Sequence, residues 1–177
     1  NQIATVGFSA GGNLAGVQAV CFRDDPVEVA GYDPDEIDRM NGAPNAVGLI
    51  YPAVTVADDK IQVVMADVET YNDLEARKQF SERYEMKDHV REGDAPMFLC
   101  NAADDDVINA FHMVDFARAC KENKVPFELH VFPSGGHGFG GCKTQDLPPI
   151  PGLTQPDLTA VTQWKELFVN WLNRTLG

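Results

Sequence analysis

The sequence predicts an α/β domain in which a mostly parallel β-sheet is flanked by helices. Two observations predict it: short, consecutively apolar runs recur along the chain, and helical patterns fall between them. Strands buried on both faces, as in a parallel sheet, read as continuous apolar runs rather than as alternations. The first run, Ile3-Ala4-Thr5-Val6, is β-branched and closed by Gly7, and the second, Ala46 to Tyr51, ends at Pro52. Met97 to Cys100 follows Pro96, and Phe127 to Phe132 is bracketed by Pro126 and Pro133. Of the helical stretches, Leu14 to Phe22 is rich in small residues and suited to close packing on a sheet. Asn109 can cap a helix whose apolar positions Phe111, Val114, Ala117 and Cys120 recur every three residues. Near the C-terminus Thr154 and Asp157 mark a helix start, and Leu158, Val161, Trp164, Phe168 and Trp171 form one stripe. The resulting order, β-α-β-(insert)-β-α-β-α, is that of a parallel sheet with right-handed crossovers.

Two stretches depart from this repeat. Residues 53–94 are rich in charge, with helix-like patches around Asp73 to Tyr84, and are too long for an ordinary connection. They read as an insertion, or a lid, within a single domain spanning 1–177. Residues 144–156 are Pro-rich and read as a stiff, irregular loop.

Composition narrows the partners. The chain has 177 residues, 44% apolar and 23% charged, enough for one domain with a substantial core. Its formal net charge of −13 argues against nucleic acid and anionic membrane surfaces as partners, because both would repel it. No apolar run approaches the ~20 residues needed to span a bilayer. The four cysteines, Cys21, Cys100, Cys120 and Cys142, form no CxxC pair that would suggest zinc or thiol redox chemistry. Three lie in apolar strand or helix patterns, the usual setting of buried free thiols, and lean toward an intracellular protein; export stays open. Cys142 lies in a Gly-rich loop, where a reactive and a bridged thiol are both open.

Chemistry enters at Gly7-Phe8-Ser9-Ala10-Gly11-Gly12, a G-x-S-x-G pattern that follows a predicted strand and opens a predicted helix. In that setting the chain turns so sharply that flanking residues must be Gly or small, and the Ser hydroxyl is thrown up from the sheet edge. The N–H of Ala10 and the helix dipole then face a developing oxyanion. Phosphate-binding alternatives fail: Ser9 stands where a dinucleotide fingerprint needs Gly, and Asn13-Leu14 where a P-loop needs Lys and Ser/Thr.

A serine hydroxyl needs a histidine to remove its proton, and that histidine needs an acid to orient it. In an elbow fold both follow later in the chain, acid first. The third strand runs into Asp104-Asp105-Asp106, and the fourth into Ser134-Gly135-Gly136-His137-Gly138. Glycines on both sides of His137 leave its imidazole free to project into a site. One of the three acids suffices, and the others read as a solvated loop. His130 inside the fourth strand and His112 beside Phe111 read as structural, and His89 as solvent-facing. None of these histidines has metal-ligand spacing, so neither metal nor cofactor is expected.

GFSAGGNLAG, AADDDVIN and VPFELHVFPSGGHGFG together resemble the α/β-hydrolase serine esterases, nearest to the acetyl-xylan and feruloyl-type carboxylesterases and related deacetylases. The resemblance runs from residue 3 to residue 140, and the final amphipathic helix also fits it. It implies a Ser-His-Asp mechanism on a small-molecule or carbohydrate ester, with Ser9 as nucleophile and His137 as base. The family's acid commonly lies three residues before a Val/Ile-Pro pair. Ile108-Asn109 stands there, which implies Asp105, with Asp104 second.

The resemblance also implies several strands and an HGG-like oxyanion loop ahead of the elbow, whereas this sequence starts on the elbow strand. Only Ala10 N–H is then expected as an oxyanion donor, and losing one donor costs ~10²–10³ in kcat. The expectation is a C-terminal portion of a longer enzyme, completed by the same or another chain; self-association is left open. Two alternatives remain: a prolyl-oligopeptidase-like serine peptidase, and a weakly active or non-catalytic module of the same fold.

Overall fold

A computed structural model of the protein describes residues 2–22, 31–141 and 157–177. Strands β1 (Ala4–Phe8), β2 (Ala46–Ile50), β3 (Met97–Ala102) and β4 (Phe127–Phe132) form one four-stranded sheet in the order β1-β2-β3-β4. All three pairings are parallel, with Leu49 opposite Leu99 and Leu99 opposite Leu129. The predicted α/β architecture is therefore present.

Its central strands behave as their apolar runs require: every residue of β2 and β3 is buried. Alternate side chains enter opposite layers. Val47, Leu49, Met97 and Leu99 pack beneath α1 (Ala10–Val20) and α6 (Ala110–Glu122). Ala46, Ile50, Phe98 and Cys100 pack beneath α7 (Trp164–Leu176) and the turn before it, against Val161, Trp164 and Trp171. Gly48 leaves the space that the Phe168 ring occupies; a Cβ there would come 2.7 Å from that ring. Phe98 is fully buried, so truncating it to alanine costs about 3–5 kcal/mol.

Strands β1 and β4 are less covered than their apolar sequences suggest, because among the described residues each pairs on one side only. Val6 and Phe8 on β1 and Val131 on β4 are exposed. Of the expected α6 stripe, Ala117 and Cys120 are buried, whereas Val114 is half-buried and Phe111 points outward. The buried face is Met113, Phe116, Ala117 and Cys120, while Phe111 is 73% exposed. The Asn109 cap is present, its Oδ1 accepting from Phe111 N at 3.0 Å. Helix α1 starts at Ala10, four residues before the predicted Leu14, because the turn at Ser9 feeds it directly. The C-terminal stripe is in place, reached through a 3₁₀ turn at Ala160–Gln163; Thr154 and the Pro-rich loop lie outside the described residues.

Between β2 and β3 stand four helices, α2 (Asp59–Met65), α3 (Val68–Asn72), α4 (Leu74–Tyr84) and α5 (Met86–His89). Asp58, Asp67 and Asp73 cap the first three by accepting from Lys60, Thr70 and Ala76 N–H groups. Two anchors fix these helices to the segments that follow β2 and β3. Ile61 and Met65 pack on Ala53 and Ile108, and the buried Glu85 Oε2 accepts from Thr55 Oγ1, Val56 N and Ala57 N. No described helix is long and apolar enough to cross a membrane.

Candidate active site

Ser9 sits between β1 and α1 with φ 51° and ψ −120°, a conformation that L-residues adopt at a cost of order 1–3 kcal/mol. The turn is held on both sides: Ser9 N donates to Ile50 O at 3.0 Å, and Ser9 O accepts from Asn13 N at 3.0 Å. The close approach that demands glycine falls on Gly7 and Gly12. A Cβ on Gly7 would meet the backbone of Gly11 and Gly12, and one on Gly12 would come 2.8 Å from Pro52. Gly11, the second glycine of the motif, has no such neighbour. The elbow's tightness thus lies one residue further along than the motif suggests. Ala10 is the first residue of α1, so its N–H belongs to the helix's unpaired N-terminal set.

The loop after β3 carries the acids. Asp105 is buried, and its Oδ1 accepts from Val107 N at 3.0 Å and Ile108 N at 2.8 Å, which fixes the carboxylate plane. Its Oδ2 lies 2.9 Å from His137 Nδ1. A carboxylate acceptor places the proton on Nδ1 and leaves Nε2 with a lone pair. Nε2 lies 2.7 Å from Ser9 Oγ. The structure therefore brings Ser9, His137 and Asp105 into one hydrogen-bonded sequence above the C-terminal ends of β1, β3 and β4, where ligands of open parallel sheets bind.

Of the other acids, Asp104 has a specific partner that a solvated loop would not give it. Its Oδ1 accepts from Gly136 N at 2.8 Å. Tyr51, which sequence reasoning passed over, ends β2 with φ 40°; its ring centroid is 5.1 Å from that of His137, and its hydroxyl accepts from Gly140 N at 3.0 Å. A bulky residue needing a left-handed turn beside a strand-end proline offers no periodic signal. The remaining histidines lie elsewhere. His130 Nε2 is 2.8 Å from Glu128 Oε1, His112 Nε2 is 3.6 Å from Asp58 Oδ2, and His89, at the end of α5, reaches Glu82 O at 2.9 Å. Among the described residues no group of three or more His, Cys, Asp or Glu could hold a metal ion. Cys100 and Cys120 are buried and Cys21 half-buried, while Cys142 lies outside the described residues. Burial pushes the thiols of Cys100 and Cys120 up to about 12, which keeps both protonated at neutral pH.

Comparison with known proteins bears on the family and the fold. The sequence pattern of the prolyl oligopeptidase family matches residues 38–146. Endo-1,4-beta-xylanase B of Butyrivibrio fibrisolvens is 29% identical over 142 residues, 78% of this chain and 20% of that protein. An acetyl ester-xyloside bifunctional hydrolase from Caldicellulosiruptor lactoaceticus superposes with a TM-score of 0.65 at 25% identity, over 96% of this chain and 55% of its own. A thermophilic esterase from Thermogutta terrifontis, with propionate bound, superposes with a TM-score of 0.68 at 21% identity, over 97% of this chain and 55% of its own. The fold is that of the α/β hydrolases. The chain spans about a fifth of the length of the xylanase and about half that of each solved structure.

Proposed function

This chain belongs to the prolyl oligopeptidase family, and within it we propose a serine hydrolase that cleaves carboxylic esters, with an acetylated sugar as substrate. The observation that carries the reading is the pair of contacts at His137: Nε2 at 2.7 Å from Ser9 Oγ and Nδ1 at 2.9 Å from the buried Asp105. A strained serine beside an imidazole, with the imidazole's second nitrogen held by a carboxylate, is the arrangement that activates a hydroxyl.

Ser9 Oγ attacks the ester carbonyl carbon as His137 Nε2 takes its proton. Asp105 holds the ring in one tautomer and stabilises the imidazolium. The oxyanion develops toward Ala10 N–H at the positive end of α1. Collapse expels the alcohol, which receives the proton from Nε2 and leaves an acyl-serine. Water, deprotonated by the same nitrogen, releases the acid. The sugar assignment is supported by the names of two relatives, a xylanase and an acetyl ester-xyloside hydrolase.

The edge of β1 left unpaired among the described residues, with Val6 and Phe8 exposed and Ile3 just before it at 66% exposure, supports a further part of this reading. More of the fold, from the same or another chain, packs against β1 and supplies a second oxyanion donor. Hydrolysis of p-nitrophenyl acetate and of acetylated xylo-oligosaccharides by the full chain tests the proposal: it should occur and be lost in Ser9→Ala. Equal rates in the two proteins would remove Ser9 from its role. The family match favours one competing reading, cleavage of a peptide bond. Turnover of peptide p-nitroanilides in preference to the esters would select it.

A further inference from the structure

The loop that carries His137 cannot hold its own shape. Gly135, Gly136 and Gly138 have φ of 152°, 60° and 87°, and a backbone with this much freedom loses more entropy on ordering than any other. An imidazole on such a loop would sample many positions, yet proton transfer requires one.

Two side chains from other strand ends grip the loop on either side of His137. Asp104, in the turn after β3, accepts from Gly136 N at 2.8 Å, one residue before the histidine. Tyr51, at the end of β2, accepts with its hydroxyl from Gly140 N at 3.0 Å, three residues after it. The Tyr51 ring meets the imidazole edge-on, at 65°, and the Phe139 ring at 71° with centroids 4.7 Å apart. A Cβ on Gly140 would collide with the Tyr51 hydroxyl and the Phe8 ring, so glycine there is what admits this contact. The adjacent acids therefore act on different parts of one loop, Asp105 on the imidazole and Asp104 on the backbone that bears it.

We infer that Asp104 and Tyr51 are positioning residues, a two-point clamp that holds His137 Nε2 at the Ser9 hydroxyl. The inference rests on the proposed role of His137 as proton acceptor. The Asp104 contact needs an acceptor oxygen rather than a charge, so asparagine can replace it. The Tyr51 contact needs the hydroxyl, so phenylalanine cannot.

The test is steady-state hydrolysis of p-nitrophenyl acetate by the full chain. The variants are Asp104→Ala, Asp104→Asn, Tyr51→Phe and, as a control in the same turn, Asp106→Ala, with melting curves run in parallel. Misplacing a reacting group by an ångström costs up to ~100-fold, and partial release of a loop less. Asp104→Ala and Tyr51→Phe should therefore each lower kcat about tenfold with KM little changed. Asp104→Asn should recover to within about threefold of the parent and Asp106→Ala should match it. If Ser9→Ala is inactive while Asp104→Ala and Tyr51→Phe keep the parent kcat, the clamp is overturned. It is also overturned if Asp104→Asn is as slow as Asp104→Ala, or if kcat falls only in step with melting temperature. If Ser9→Ala keeps the parent rate, the hydrolase reading itself fails and the clamp fails with it.

Discussion

At the ends of three strands, Ser9, Tyr51 and Gly136 take positive φ values, whereas the four helices between Asp59 and His89 contain none. The two regions are built on opposite principles. In the helical stretch local preferences carry the structure: Asp caps satisfy three of the four helix starts, and Arg77 pairs with Gln62 at 2.7 Å and with Asp59. In the strand-end region preference is violated twice by non-glycine residues, and surrounding contacts hold the violation in place. Strain kept by over-determination marks a place where geometry is worth more than local stability. Substitutions should therefore separate activity from stability differently in the two regions.

The largest effects belong to the hydrogen-bonded sequence. Ser9→Ala and His137→Ala should each lower kcat by roughly 10³ or more, and Asp105→Asn by roughly 10³–10⁴, because the amide favours the wrong imidazole tautomer. Melting temperatures should change little in Ser9→Ala, which relieves no packing. Next comes the elbow's packing. Gly12→Ala places a methyl 2.8 Å from Pro52 and should destabilise by about 1–3 kcal/mol while also lowering kcat, since the turn must shift. In the helical stretch, Asp73→Ala removes the α4 cap and should cost about 1 kcal/mol in denaturant titration with kcat intact. A loss of activity from Asp73→Ala equal to that from Gly12→Ala would erase the contrast between the regions.

The last effect, absent at neutral pH, is a pH dependence of stability. Cys100 and Cys120 are held at about 12 in the folded chain against 9.0 unperturbed. Groups raised on folding contribute stability that is complete below the unfolded value and lost as pH climbs to the folded one. Stability should therefore fall between pH 9 and 12. Iodoacetamide should leave both thiols unmodified at about pH 7.5 until the chain is unfolded, as peptide mass mapping would show.

The same contrast explains how much was legible in the sequence. The elbow was readable because Gly7 meets a steric demand that few residues can, although the second tight position is Gly12 and not the motif's Gly11. The loops that carry the acids and His137 were readable because strand ends fix where loops point, whereas Asp105 was singled out from its two neighbours only by the family resemblance. Tyr51 and Asp104 were not legible. Their roles depend on hydrogen bonds to backbone N–H groups 89 and 32 residues away, which leave no local pattern. Ala117 and Cys120 of the α6 stripe were legible, but its N-terminal half was misplaced because Phe111, exposed at the first turn, reads as apolar as the buried Phe116. Helices α2 and α3 escaped notice because they are short and bury few side chains, leaving caps as their main signal.

The central claim is that the Ser9 hydroxyl is activated by His137. Treating the full chain with a fluorophosphonate and mapping the product by mass spectrometry tests it directly. One covalent adduct is expected, on the peptide that contains Ser9, and none in His137→Ala protein that retains the native fold. An unmodified Ser9 in folded parent protein, or equal labelling of the His137→Ala variant, would overturn it.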